Sequence, residues 1–374
     1  MIRRFVCFVA TCRADSFLGT NMLKFIFNQV HNPTDGPSHS VLKMNFWLVL
    51  IFGVLAKCRC QESGACPCPD LCTCSSSAEV ECSGSSLTRF PPCGFPSNTT
   101  RLAIRSTNIS SVTASHLNAT PRLRSLQLYH NKLAQVPPDL MKGVPGLNGL
   151  DLTGNQLVLL PADVFKHASL HNLVLKNNQI VEVDPDWFAD NSSLTWLDLS
   201  GNRLTDLPAA LCHKLPLLEN LDLSDNRLQE LHRDAFRSLR HLKILNLGGN
   251  RLRFLESSIF TSNLNLSRLF LQENRLQELP ADLLGGLLRL DLLLLNQNRL
   301  QHLPPGFLDI NASFRVILSG NPWICDEKME YLWRWLTVHP QNVFFREEVM
   351  CAGPEALRHR QVVLLTRSEL GLQP

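Results

Sequence analysis

The sequence predicts an α/β solenoid in which short parallel strands stack into one concave sheet. Two regularities predict it: leucines recur with a period of 23 or 24 residues, and an asparagine holds a fixed place in each period. Cysteines crowd into one segment before the periodic region and two more follow it, as expected of capped ends. With 374 residues, 44% of them hydrophobic, the chain can also bury a large core.

Each period matches the pattern L-x-x-L-x-L-x-x-N-x-L, for example in LTWLDLSGNRL from Leu194 to Leu204. Such a period is the signature of a leucine-rich-repeat solenoid, or horseshoe, in which one repeat cannot bury its leucines without its neighbours. About ten repeats occupy residues 99–320, and the first has Thr107 in the asparagine position. The repeated asparagines are Asn131, Asn155, Asn178, Asn202, Asn226, Asn250, Asn274, Asn298 and Asn321.

The second half of each repeat has an apolar position of its own, which predicts a buried spine beneath the convex side. Cys212 occupies this position in one repeat, so we interpret it as a core residue rather than a reactive thiol. The spine positions are Met141, Phe165, Phe188, Cys212, Phe236, Phe260, Leu284 and Leu308.

The N-terminal region indicates the compartment. Residues 1–43 are interpreted as an extension of the gene model or as unstructured, and residues 44–60 as a signal peptide, because Met44–Ala56 is an apolar run of signal-peptide length. Cleavage fits after Ala56 or after Cys60, and a signal anchor or a buried helix is the alternative. No second apolar span occurs and the tail is polar, so we expect a secreted protein without a membrane anchor.

An N-terminal cap is predicted at residues 61–98, where the spacing C-x3-C-x-C-x7-C occurs. In a secreted chain, cysteines as dense as these favour disulfides over a zinc site. Spacing alone leaves three pairings of these four cysteines open. The segment resembles the N-terminal cysteine caps of extracellular leucine-rich-repeat proteins, and that resemblance implies the bridges Cys68–Cys74 and Cys72–Cys82.

Further cysteines of this region have no assigned partner, namely Cys58, Cys60, Cys66 and Cys93. If cleavage falls after Cys60, only Cys66 and Cys93 remain, and parity then favours a Cys66–Cys93 bridge. Earlier cleavage leaves the pairing open.

A C-terminal cap is predicted at residues 321–374, and a Cys325–Cys351 bridge would close it. Apolar residues with i, i+3, i+4, i+7 spacing predict an amphipathic helix that lies on the last repeat. These residues are Met329, Leu332, Trp333 and Leu336.

The stretches GNPWIC, RWL and CAGPEA of this cap, on 24-residue repeats, resemble the leucine-rich alpha-2-glycoprotein family of secreted proteins. The resemblance covers residues 95–360. It implies a non-catalytic plasma glycoprotein that modulates TGF-β-type signalling through the accessory receptor endoglin, with cytochrome c as a further partner. These implications rest on the resemblance and not on spacing or composition.

Asn-x-Ser/Thr triplets predict N-glycosylation, and none falls on an inward leucine or on an outward strand position of the concave sheet. Glycans at these acceptors would leave the concave sheet uncovered. The acceptors are Asn98, Asn108, Asn118, Asn191, Asn265 and Asn311.

Catalysis is not predicted, because the sequence has no nucleophile elbow, HExxH motif, phosphate-binding loop or dinucleotide-binding glycine motif. The histidines do not fall at metal-ligand spacing, so we assign no catalytic residue, no metal and no other cofactor. A net charge of +3 without basic runs counts against nucleic acid as a partner.

Recognition is predicted on the concave face, where the non-leucine strand positions point outward. Exposed aromatic and aliphatic groups on a rigid surface favour a protein ligand, and packing among themselves is the alternative. Asp198 and Asp222 lie one strand apart, which an enzyme could use to raise a carboxylate pKa, but we favour an acidic binding surface. The predicted residues are Tyr129, Asp151, Trp196, Asp198, Asp222, Ile244, Phe270, Leu292 and Leu294.

The sequence therefore predicts a secreted, glycosylated protein-binding module whose partner is an extracellular protein ligand or receptor. The alternative is a structural leucine-rich-repeat protein of the extracellular matrix. Only two tyrosines occur in the chain, which counts against the tyrosine-rich tail expected of that class.

Overall fold

The structure is a computed structural model that describes residues 68–75, 78–91, 95–310 and 314–373. The interpretations of residues 1–43 and 44–60, and the predictions for Cys66, Cys93 and Asn311, lie outside the described residues. The described chain forms strands on one side and turns or short helices on the other.

Within the described ranges, thirteen strands form one sheet, and the N-terminal cap supplies its first two. β1 (Cys72–Cys74) pairs antiparallel with β2 (Glu79–Ser83), which pairs parallel with β3 (Arg101–Arg105). The predicted parallel sheet is confirmed. Its further strands are β4 (Ser125–Gln127), β5 (Gly149–Asp151), β6 (Asn172–Val174), β7 (Trp196–Asp198), β8 (Asn220–Asp222), β9 (Ile244–Asn246), β10 (Arg268–Phe270), β11 (Leu292–Leu294) and β12 (Arg315–Ile317).

The repeat strands share one side-chain alternation. Leu197 of β7 lies buried between the outward Trp196 and Asp198. It aligns with Leu173 of β6 and Leu221 of β8. Since successive side chains of a strand point to opposite faces, the outward residues stand in rows across the sheet, about 4.8 Å apart.

The repeated asparagines tie each coil to the coil before it. The Nδ2 of Asn202 donates to the backbone oxygens of Leu199 (2.9 Å) and Leu175 (3.0 Å). Its Oδ1 accepts from the backbone amide of Ile180 (3.0 Å), which, like Leu175, belongs to the preceding coil. Asn202 is only 6% exposed, so water could not replace these bonds. The asparagines of the neighbouring coils make the same bonds.

The convex side is built from short helices and turns over the predicted spine, which is buried. The helices here are α1 (Ala114–Leu117) and α2 (Ala209–Lys214). Spine rings of neighbouring coils stack, as Phe236 does on Phe260. Single 3₁₀ turns occupy Leu140–Gly143 and Pro185–Trp187.

Disulfides close both ends of the described repeats. At the N-terminal end, Cys72–Cys82 joins β1 to β2, and Cys68–Cys74 holds the segment that leads into β1. At the C-terminal end, Cys325–Cys351 joins β13 (Trp323–Ile324) to β15 (Cys351–Gly353), which form a second, two-stranded sheet. The capped ends keep the core leucines of the terminal coils away from water.

The C-terminal helix buries the face that the spacing predicts and one further residue. Helix α3 spans Glu330–Val338, and Met329 lies in the 3₁₀ turn before it. Met329, Leu332 and Leu336 are buried, and Trp333 is half-buried, packs against the core and donates its Nε1 to the backbone oxygen of Leu365 (2.9 Å). Trp335 is also buried, which the spacing did not predict. The remaining 3₁₀ turns of this cap are Glu327–Met329, Pro340–Asn342, Arg346–Glu348, Glu355–Leu357 and Val362–Leu364.

A further strand, β14 (Val343–Phe344), leaves this cap and pairs parallel with β12. It forms the last strand of the large sheet. The repeat pattern did not predict it, because it lacks the leucines and the asparagine of the repeat.

Removing one ladder asparagine should destabilise the whole solenoid. Asn202→Ala leaves the backbone amide of Ile180 without its acceptor and removes one of the two ladder bonds to each of the backbone oxygens of Leu175 and Leu199, so we expect the free energy of unfolding to fall by about 1–3 kcal/mol. Asn172→Ala, an exposed asparagine of β6, should change it by less than about 0.5 kcal/mol. Urea denaturation followed by circular dichroism measures both, and equal losses would contradict the structural role of the ladder.

The thiol of Cys212 should be unreactive in the folded protein. Cys212 is 1% exposed and burial raises the pKa of its thiol to about 12, so it is neither accessible nor ionised near neutral pH. We expect one more thiol to react with an aromatic disulfide reagent at pH 8 after unfolding in urea than before. That increment should vanish in Cys212→Ala; an equal increment in both proteins would contradict the burial.

Candidate protein-binding face

The outward positions of the repeat strands form a continuous surface, which we call the concave face. It consists of the first and third residues of each strand from β4 to β12. All nine residues predicted for recognition lie on it or at the turn that follows a strand. The structure separates them into an N-terminal corner, an acidic centre and an apolar C-terminal part.

The acidic centre is shaped by the way each strand ends. Asp198 Oδ1 accepts from the backbone amide (2.9 Å) and from the hydroxyl (2.6 Å) of Ser200. Asp222 makes the same two bonds with Ser224, at the same distances. One oxygen of each carboxylate therefore closes the turn after the strand.

The other carboxylate oxygens differ between strands. Asp222 Oδ2 accepts from Asn246 Nδ2 at 3.0 Å, which ties it to the next strand. Asp151 Oδ1 accepts from the backbone amide of Thr153 at 2.9 Å. Among the described residues, Oδ2 of Asp198 accepts no hydrogen bond.

Burial on the sheet raises the pKa of Asp198, and the nearby charge of Asp222 adds to this rise. The hydrogen bonds from Ser200 and the charge of Lys176 act in the opposite direction. A carboxylate that is partly desolvated before binding gives up less hydration when a cationic group approaches it.

Trp196 is the most exposed predicted residue of this surface, with 45% of its area accessible. Its strand neighbours in the same row are Asn172 and Asn220, which are small enough to leave the ring uncovered. A large aromatic group that stands free on a rigid strand is the usual form of a binding hot spot.

The C-terminal apolar residues are half-buried rather than exposed. Ile244 and Leu292 stand in one row, and Phe270 and Leu294 stand in the next. Arg268 interrupts the first row and is exposed between Ile244 and Leu292. This part of the face is therefore apolar with a cationic insertion.

Tyr129 is the most N-terminal of the predicted residues; it follows β4, one strand before Asp151 and three strands before Trp196. Its hydroxyl accepts from Arg105 Nη1 at 3.1 Å, and Arg105 also pairs with Glu81 of the N-terminal cap. These groups line a polar cavity of about 240 Å³ together with the Arg101–Glu79 ion pair. The N-terminal corner is thus an internally paired polar surface.

The described glycan acceptors lie off the concave face. Asn98, Asn118 and Asn191 are exposed. Asn108 and Asn265 are half-buried, and their Nδ2 atoms donate to the backbone oxygens of Ser85 (2.6 Å) and Arg240 (2.9 Å), respectively.

Within the described ranges, no group of three or more histidine, cysteine, aspartate or glutamate side chains is arranged to hold a metal ion. No helix in those ranges is both long and apolar enough to cross a bilayer.

The family of leucine-rich repeats matches residues 97–157, 168–228 and 216–264. These segments contain β3 to β9 and the ladder asparagines from Asn131 to Asn250. The chain therefore contains leucine-rich repeats and has the leucine-rich-repeat fold.

Known leucine-rich-repeat proteins resemble short parts of the chain. The phospholipase A2 inhibitor of Gloydius brevicaudus siniticus is 32% identical over 66 residues, which are 18% of this chain and 20% of that protein. The platelet glycoprotein Ib beta chain of Rattus norvegicus is 42% identical over 67 residues, 18% of this chain and 32% of that protein. The chain therefore matches at most about a third of the length of these relatives.

A solved structure resembles much more of the chain. It belongs to an octameric complex of latrophilin 3, Unc5D and FLRT2, in which FLRT2 contributes leucine-rich repeats. The superposition has a TM-score of 0.64 at 26% identity and covers 82% of this chain and 100% of that chain.

The ionisation of Asp198 should oppose folding. Because its pKa is raised in the folded state, its contribution to stability is present below the unfolded pKa and is lost as the pH rises through the folded pKa. Asp198→Asn keeps an oxygen that accepts from Ser200 and has no charge. We expect the two proteins to have equal urea midpoints near pH 3 and the variant to have the higher midpoint at pH 7. A lower midpoint of the variant at pH 7 would contradict this sign.

Proposed function

We propose that this leucine-rich-repeat protein is a secreted, non-catalytic module whose concave face binds an extracellular protein. The observation behind the proposal is Trp196, an exposed aromatic group at the centre of a sheet whose strands are fixed by buried asparagines. A rigid aromatic side chain loses little entropy on binding and removes a large apolar area from water.

The surroundings of Trp196 support a protein partner over a small molecule. The concave face is broad and changes along the sheet from paired polar groups through carboxylates to apolar side chains. A surface whose chemistry changes from strand to strand can bind selectively a partner that covers several strands. The related proteins also support the proposal, since one is named an inhibitor of phospholipase A2 and another lies in a complex of several proteins.

Secretion is part of the proposal. The interpreted signal peptide at residues 44–60, the disulfides in both caps and the glycan acceptors fit an oxidising extracellular compartment. By resemblance, the partner belongs to the TGF-β pathway, reached through endoglin, and cytochrome c is a second partner.

A structural protein of the extracellular matrix is the second candidate. The disulfide-capped solenoid suits that role as well, because its many coils can present glycans or contact fibres along their length. A matrix protein would sediment with reconstituted fibres through contacts spread over the solenoid, and loss of Trp196 would not release it.

Affinity capture tests the binding function. Purified mature protein, immobilised and exposed to plasma or conditioned medium, should retain a defined partner. Trp196→Ala/Phe270→Ala should lower its recovery at least roughly tenfold, because lost hot-spot residues cost about 2 kcal/mol or more. Phe254→Ala/Leu159→Ala removes two apolar side chains, 47% and 52% exposed, away from the concave face and should leave recovery unchanged.

Equal recovery by the two double variants would show that the concave face does not bind the partner. Trp196→Ala alone replaces the first double variant if truncation of the half-buried Phe270 unfolds the protein.

A further inference from the structure

The C-terminal cap contributes to the concave face as well as closing the core. In β14, Val343 is buried and Phe344 points outward, because Phe344 aligns with Ile317 of β12. Phe344 is 42% exposed, and Phe345, which follows it, is 54% exposed. Two adjacent phenylalanines therefore stand open to water at the end of the sheet.

Phe344 extends an apolar row that begins inside the repeats. Phe270, Leu294 and Ile317 occupy the same position on β10, β11 and β12. With Phe344 they form four consecutive apolar groups over three strand spacings, or about 14 Å. A row of this length is long enough for two turns of a helix, which span about 11 Å.

Two arginines stand beside this apolar row. Arg268 and Arg315 flank Leu292 in the neighbouring row, and both are exposed. They are two strand spacings apart, or about 10 Å. In the described part of the chain, neither guanidinium lies within ion-pair distance of a carboxylate. Glu347 and Glu348, which follow Phe345, are exposed and pair with neither arginine.

We propose that this C-terminal patch, defined as Phe270, Leu294, Ile317, Phe344, Arg268 and Arg315, binds an acidic amphipathic helix of the partner. The inference rests on the proposed function, since it specifies the partner surface for one end of the same face. Apolar side chains of the helix would cover the row, and two carboxylates one heptad apart, about 10.5 Å, would meet the two arginines.

The charges of the patch decide which helix fits. A basic amphipathic helix could cover the same apolar row, but its cations would face Arg268 and Arg315 without compensation. The acidic centre does not reverse this preference, because Asp222 lies two strands from Arg268 in the direction away from Phe344.

Defined peptides test the proposal. Two fluorescent helical peptides share one leucine face, and carry either glutamates or lysines at paired positions seven residues apart. Fluorescence anisotropy at low salt should give the glutamate peptide at least roughly tenfold tighter binding. Arg268→Gln/Arg315→Gln should remove this preference, and Phe344→Ser should weaken both peptides.

Matched controls exclude general effects of charge and hydrophobicity. Arg203→Gln/Arg227→Gln removes two exposed arginines from neighbouring coils away from the concave face, and Phe254→Ser removes a phenylalanine of similar exposure. Both should bind the glutamate peptide as the wild type does. Circular dichroism of each variant verifies folding.

Three outcomes would overturn the proposal: equal affinity for the two peptides, a preference that survives Arg268→Gln/Arg315→Gln, or no binding of the glutamate peptide below about 1 mM. If any of these outcomes occurs while affinity capture still depends on Trp196, the proposed helix-binding role of the C-terminal patch fails and the proposed binding function stands. If the glutamate peptide binds as expected while substitutions on the concave face leave partner recovery in affinity capture unchanged, the proposed function fails and the peptide-binding patch stands.

Discussion

The asparagine ladder is the interaction on which the rest of the structure depends. Each ladder amide joins the backbone of its own coil to the backbone of the coil before it, as Asn202 does with Leu175 and Ile180. A shift of one coil against the next would leave buried amides and carbonyls unpaired, and each such group costs about 1–3 kcal/mol. The ladder therefore holds all strands in one register. The rows of outward side chains, and with them any binding surface, follow from that register.

The fixed register leaves only the outward strand positions free to vary from repeat to repeat. At the centre of the concave face, residues at these positions either stabilise a turn or present a side chain to solvent. Asp198 and Asp222 close the turns after their strands through Ser200 and Ser224, so they stabilise the coil while presenting carboxylate oxygens outward. Among the described residues, the side chain of Trp196 makes no comparable hydrogen bond, and 45% of its area is exposed. The aspartate side chains are held in place by local hydrogen bonds, whereas the position of the Trp196 side chain is set by the strand backbone alone.

The caps extend this principle beyond the repeats. The C-terminal cap covers the last core layer with Trp323 and α3, and its strand β14 pairs with the edge of β12. An uncovered edge of a parallel sheet would expose unpaired backbone groups, so its protection by a cap strand is expected on physical grounds. The result is that Phe344 continues a row that the repeats began.

The sequence by itself determined the number of coils, the ladder, the spine and the outward rows, because the repeat is a local pattern whose physical cause lies within two neighbouring coils. The N-terminal cysteine pairs came from a resemblance and not from spacing. Only the tertiary structure decided how far Ile244, Phe270 and Leu292 are covered, that burial raises the pKa of Asp198, and that Trp335 is buried as well as the predicted helix face. It also decided that β14 joins the sheet. These features depend on where distant or non-repeating segments of the chain pack against the repeats. The repeat period in the sequence does not specify those contacts.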